Sequence, residues 1–128
     1  MKAKECNGTT LAYVGDAVMS LWVRERQVQE GWQKPAILQR QSIAWVSARA
    51  QAKFLDVLMR EAFFTPEEMD IVKRGRNAKS ASNAKNASVQ DYRMATGLEA
   101  VIGYLYLTKQ EERLQALWAK IQEIGEQK

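Results

Sequence analysis

The chain has 128 residues, a net charge of +4, and 46% apolar and 27% charged residues, proportions that fit one globular domain and exclude disordered, collagen-like and coiled-coil chains. Its single cysteine, Cys6, and its lack of histidine exclude an internal disulfide, a Cys/His zinc site, Ser-His-Asp triads and histidine acid-base catalysis. Any hydrolytic chemistry then falls to carboxylates or to a metal. Residues 1–10 carry two lysines and no apolar run, so a cytoplasmic chain with no membrane association is expected.

Apolar residues recur at helical spacing and strand signals are scarce, which predicts an all-α fold of about six to seven helices forming one domain over residues 1–128. The first helix is expected to run from an N-cap at Thr9 or Thr10 to Gly31, with Leu11, Val14, Val18, Leu21 and Trp22 on one face. Pro35 suits a helix start, and the set Ile37, Leu38, Ile43, Trp45, Val46, Phe54, Leu55 and Leu58 predicts helical structure to Arg60, broken near Ser47. Thr65-Pro66-Glu67-Glu68 has the residue types of a capping box with proline at the first helical position, opening a short helix to about Arg74. Residues 75–88 are small and polar and carry no bulky apolar side chain, so a mobile loop is expected there. Helical pattern resumes from Ser88 through Leu107, with Tyr92, Leu98, Val101, Ile102 and Leu105 as core residues, and a last amphipathic helix follows on Leu114, Leu117, Trp118 and Ile121.

Charge is concentrated in one place. Lys73, Arg74, Arg76, Lys79 and Lys85 lie in a stretch without an acid, which carries +5 and leaves −1 for the remainder. Such a segment is either a solvated loop or a surface for a polyanion.

Two acids stand apart. Asp16 is the only charged residue between Glu5 and Arg24, and Glu99 the only one between Arg93 and Lys109. Burying an ionised carboxylate without a partner costs several kcal/mol, so each needs a cation, a proton or hydrogen-bond donors. An arginine from another helix, or exposure through a gap, answers that need for one lone acid; two of them in a chain without histidine favour a bound metal. Gly15 beside Asp16, and Gly103 one turn beyond Glu99, each forfeit about 1 kcal/mol of helix propensity, which a close helix crossing would offset.

The stretch LAYVGDAVMSLWVRE, residues 11–25, resembles the signature helix of the ribonuclease III family, with Tyr13, Val14, Gly15, Asp16, Ala17 and Val18 filling its aromatic-aliphatic-Gly-Asp-Ala-aliphatic core. GLEAVIGYLYL, residues 97–107, resembles the family's second acidic helix, and WVSARAQAKFL its intervening helix junction. KRGRNAKS and KQEERL, with a length that leaves no room for a separate RNA-binding domain, resemble the Mini-III branch, which consists of the catalytic domain alone. Two places depart from the wider family: where it carries a second acid on each helix, this chain has Ala12 and Thr96.

The resemblance implies a Mg²⁺-dependent homodimeric endonuclease for double-stranded RNA that leaves 5′-phosphate and 3′-hydroxyl ends and takes a large-subunit ribosomal RNA precursor as substrate. It implies that Asp16 and Glu99 are the catalytic residues and metal ligands, and that Tyr13 sits in the dimer interface, although an ordinary core tyrosine is an equal alternative. Two carboxylates suffice for one Mg²⁺, which keeps several waters. Lys73, Arg74, Arg76, Asn77, Lys79 and Lys85 are the expected RNA-binding residues, because A-form duplexes offer phosphates and 2′-hydroxyls to such side chains. The absence of an aromatic in residues 75–88 disfavours single strands. Two other readings stand beside this one: a non-catalytic dimeric RNA- or ribosome-binding module of the same fold, suggested by Ala12 and Thr96, and a small helical interaction protein, which leaves the isolated acids unexplained.

Overall fold

The computed structural model describes residues 2–31, 34–78 and 88–127. Among these, a 3-10 turn at Ala3–Glu5 precedes six α-helices, α1 (Gly8–Gln29), α2 (Pro35–Val46), α3 (Ala48–Arg60), α4 (Pro66–Arg76), α5 (Val89–Leu107) and α6 (Glu111–Glu126), with no strand. The all-α expectation holds.

Helix α5 is the hub. Leu98, Ala100, Val101, Ile102, Tyr104 and Leu105 are all buried, so this helix is apolar around its circumference, as a helix enclosed by others must be. Helices α1, α3 and α4 pack around it. Where α1 crosses α5, a Cβ on Gly15 would overlap the carbonyl of Glu99, and one on Gly103 would overlap the carbonyl of Leu11. The two backbones are in direct contact there. Only glycine permits this approach, which offsets its low helix propensity.

Helix ends follow local chemistry. Asn7 caps α1, its side chain accepting from the Thr10 N–H at 2.8 Å; the cap therefore lies two residues before Thr9, and the expectation of a threonine cap is corrected. Asparagine accepts as well as threonine does, and the flanking Thr9 and Thr10 lie inside the helix. Gly31, at φ +88°, turns the chain after α1. Ser47 both ends α2 and caps α3, accepting from the Ala50 N–H, so the break falls where expected. The capping box at α4 is complete: Glu68 N–H donates to the Thr65 hydroxyl and Thr65 N–H to the Glu68 carboxylate. Glu68 is buried; burial opposes its ionisation, but Arg113 and the Thr65 donors prevail and hold the carboxyl below its usual range. Arg113 also donates to the Phe63 carbonyl, which pins α6 to the start of α4.

Two sequence expectations require correction. Leu21, grouped with the apolar face of α1, is 58% exposed. Helix α2, helical as expected, has no fully buried residue: Ile43 faces solvent, while Trp45 and Val46 pack half-buried against the core. Residues 75 and 76 belong to α4, and Gly75 is buried, where a Cβ would come within 2.7 Å of the Ala100 side chain and the Thr96 carbonyl. A glycine in a polar stretch reads as a loop, yet here it lets α4 approach α5.

Candidate active site

Asp16 and Glu99 project from the two helices whose backbones touch. Because Gly15 packs on the Glu99 carbonyl, the next residue on α1 starts its side chain beside that of Glu99, and the two carboxyl groups hydrogen-bond. Their environments differ. Asp16 is exposed, whereas Glu99 is largely shielded, so the expectation of two buried acids is corrected to one desolvated acid and one at the solvent side. Burial, then the hydrogen bond to Asp16 and the Asp16 charge, push the Glu99 carboxyl up to about 9, with the Gln51 side chain pulling the other way.

Two acids this close, one of them shielded, are a natural place for a divalent cation, which would neutralise both and retain several waters. The residues present fit one Mg²⁺. They do not fit a second ion held by protein alone: no group of three or more metal-ligating acids, cysteines or histidines occurs among the described residues. Ala12 has no ligating atom, and Thr96 offers only a neutral hydroxyl, which donates to the Tyr92 carbonyl of its own helix at 2.9 Å.

The basic residues divide. Lys73 and Asn77 are exposed and Arg76 is half-buried at the C-terminal end of α4. Arg74 also ties the N-terminal turn to α4, its Nη1 donating to the carbonyls of Lys4 (2.8 Å) and Cys6 (3.1 Å). Lys79 and Lys85, with most of the expected loop, lie outside the described residues.

Tyr13 is 82% exposed, which removes the core-tyrosine alternative. Beside it on α1, Val14, Leu21 and Trp22 line a groove of about 380 Å³ with Tyr106, Leu114 and Trp118. Trp22 stacks on Trp118 at 5.0 Å between centroids, so this apolar face has a rigid floor.

One residue at the site escaped sequence reasoning. Gln51 on α3 is 1% exposed and lies against Glu99. The signal was available: Gln51, Ala52, Phe54, Leu55 and Leu58 form the buried stripe of α3, and a glutamine at a core register is an anomaly.

The ribonuclease III domain family matches residues 9–110. The chain is 54% identical to the Mini-ribonuclease 3 of Staphylococcus aureus over 118 residues, covering 92% of this chain and 88% of that one. It is 47% identical to the Mini-ribonuclease 3 of Enterococcus faecalis, covering 96% and 94%. The chain belongs to the Mini-ribonuclease 3 family. A Fusobacterium nucleatum protein solved by X-ray crystallography shares the fold at a TM-score of 0.77 and 32% identity, covering 88% of each chain. As a Mini-ribonuclease 3 family member carrying a ribonuclease III domain, the protein is an endoribonuclease. No described helix is long and apolar enough to cross a membrane.

The Glu99 shift sets a pH dependence. Its carboxyl holds a proton in the folded chain up to about 9 but has an ordinary value of 4.5, so its contribution to stability is complete below 4.5 and is lost as pH rises toward 9. In the absence of divalent ions, the melting temperature of the parent is expected to fall across this window relative to that of Glu99→Gln, which has no proton to lose. Parallel melting profiles for the two proteins would contradict the shift.

Proposed function

We propose that this endoribonuclease is a Mg²⁺-dependent enzyme of the cytoplasm that cuts double-stranded RNA as a homodimer, with the large-subunit ribosomal RNA precursor as its substrate and 5′-phosphate and 3′-hydroxyl ends as its products. The carrying observation is the coupled pair of Asp16 and Glu99 at the α1–α5 crossing. A bound Mg²⁺ supplies a more nucleophilic water and neutralises charge on the phosphodiester. The protein's part is to hold that ion. Glu99, on the shielded side of the crossing, and Asp16, at the solvent side, are the residues that would hold it, and Glu99 would have to release its proton to do so. The rigid crossing keeps the two carboxylates in register, so no reorganisation is required when charge develops.

Lys73, Arg76 and Asn77 at the end of α4, with Lys79 and Lys85, supply contacts to phosphates and 2′-hydroxyls in this reading. Such contacts recognise a duplex by shape.

Asp16→Asn and Glu99→Gln each keep side-chain shape and remove an anionic oxygen. Both are expected to reduce cleavage of a labelled RNA duplex by about 100-fold or more while leaving duplex binding near the parental level. Neutralising Lys73 and Arg76 is expected to do the reverse in the same assay, weakening binding and flattening its salt dependence. Parental cleavage by either acid variant removes that residue from the site. Intact binding with no Mg²⁺-dependent cleavage by the parent supports the non-catalytic module instead.

A duplex requires two cuts, and a symmetric dimer presents two equivalent sites. Tyr13 and the groove beside it form the self-complementary face in this reading, since a second copy would cover Tyr13, Leu21 and Tyr106 together. Tyr13→Ala is expected to shift the monomer–dimer equilibrium about tenfold or more toward monomer in sedimentation equilibrium. Superimposable dilution series for variant and parent would place the dimer interface elsewhere.

A further inference from the structure

Gln51 occupies a position that packing alone would give to leucine or methionine. It lies on the buried stripe of α3 between residues that contact α5, and it is 1% exposed. A carboxamide taken out of water needs partners for both its ends. Its nitrogen has one: Nε2 donates to the Val46 carbonyl at 3.1 Å, a backbone group freed where α2 ends. That bond fixes the orientation of the group, because only the nitrogen can face a carbonyl oxygen. Oε1 is then left fully buried with no partner in the protein, and the carboxamide lies against Glu99.

A purely structural role accounts for the nitrogen and leaves the oxygen unexplained. The position beside Glu99 accounts for both. Mg²⁺ bound through two carboxylates retains several waters, each with protons to donate, and groups that orient a ligand or accept from such waters commonly tune metal affinity. We propose that Gln51 is the positioning residue of the cation site, its carboxamide fixing the Glu99 carboxylate and its Oε1 accepting from the hydration shell of the bound ion. This rests on the reading of Asp16 and Glu99 as the cation ligands. Asp16 approaches from α1 and Glu99 from α5, so Gln51 supplies the third wall of the site, from α3, with an uncharged group that adds no repulsion to the pair.

The test is Mg²⁺ binding by the parent, Asp16→Asn and Gln51→Met, a variant that keeps length and removes both polar atoms. Binding is followed by the rise in melting temperature with added Mg²⁺ and, in the parent, by the ¹⁵N signals of the Gln51 carboxamide. The parent is expected to respond to Mg²⁺, Asp16→Asn to lose that response, and Gln51→Met to bind about tenfold more weakly while remaining folded without metal. The Gln51 carboxamide signals of the parent are expected to shift with the same midpoint as the thermal response. If Gln51→Met does not fold, those signals decide the matter alone. A folded Gln51→Met with parental Mg²⁺ affinity, or carboxamide signals that stay fixed while the parent takes up Mg²⁺, overturns the proposal and leaves the cation site standing. A parent with no response to Mg²⁺ overturns the cation site itself, and this proposal with it.

Discussion

The backbone contact between α1 and α5 is the constraint from which the rest of the site follows. Gly15 and Gly103 each forgo a side chain so that one helix can rest on the carbonyls of the other, and a crossing this tight has little freedom to slide or rotate. Asp16 and Glu99 inherit that rigidity. An acid pair on helices one side chain further apart would leave room for water between the carboxyls, and Glu99 would titrate more nearly as an ordinary glutamate. Here the close approach desolvates Glu99 and brings the Asp16 charge against it. The same geometry that makes the glycines costly for helix formation therefore creates a site with a strong demand for positive charge.

Other contacts serve that crossing from a distance. Helix α4 reaches α5 through Gly75 and Gly97, and its N-terminal end is fixed by the ion pair between its buried Glu68 and the half-buried Arg113 of α6. The Tyr104 hydroxyl on α5 donates to the Glu67 carboxylate at 2.6 Å; with burial, this raises the tyrosine to about 12. Arg26 lies over the Trp45 ring, which in turn meets Phe54 and Trp118, joining α1, α2, α3 and α6. The hub helix is thereby clamped on several faces, which is how a chain of this size can hold an acid in a shielded position.

Helix identity was legible wherever periodicity and capping chemistry agreed. The capping box at Thr65, the break at Ser47 and the limits of α5 are local signals, written in residue types a few positions apart. The two acids were legible for a related reason, since an isolated charge in an apolar helix demands a tertiary answer. What the sequence could not convey is how deeply each apolar residue of a helix is set: α2 has an apolar composition, yet its Ile43 faces solvent while Trp45 and Val46 pack half-buried against the core, and Leu21 lies on a face of α1 that the described residues leave largely exposed. Nor could it show that Arg74 Nη1 donates to the carbonyls of Lys4 and Cys6, because a contact across about seventy positions leaves no local trace. Gln51 lay between these cases, a polar residue at a core register whose meaning depends on what α5 places opposite it.

The cation site can be seen directly in crystals soaked with Mn²⁺, which prefers oxygen ligands as Mg²⁺ does and scatters anomalously. If the acid pair at the α1–α5 crossing is the ion's seat, an anomalous peak lies between the carboxylates of Asp16 and Glu99, within bonding distance of both. At saturating Mn²⁺, a crossing without such a peak would contradict the cation site at its foundation.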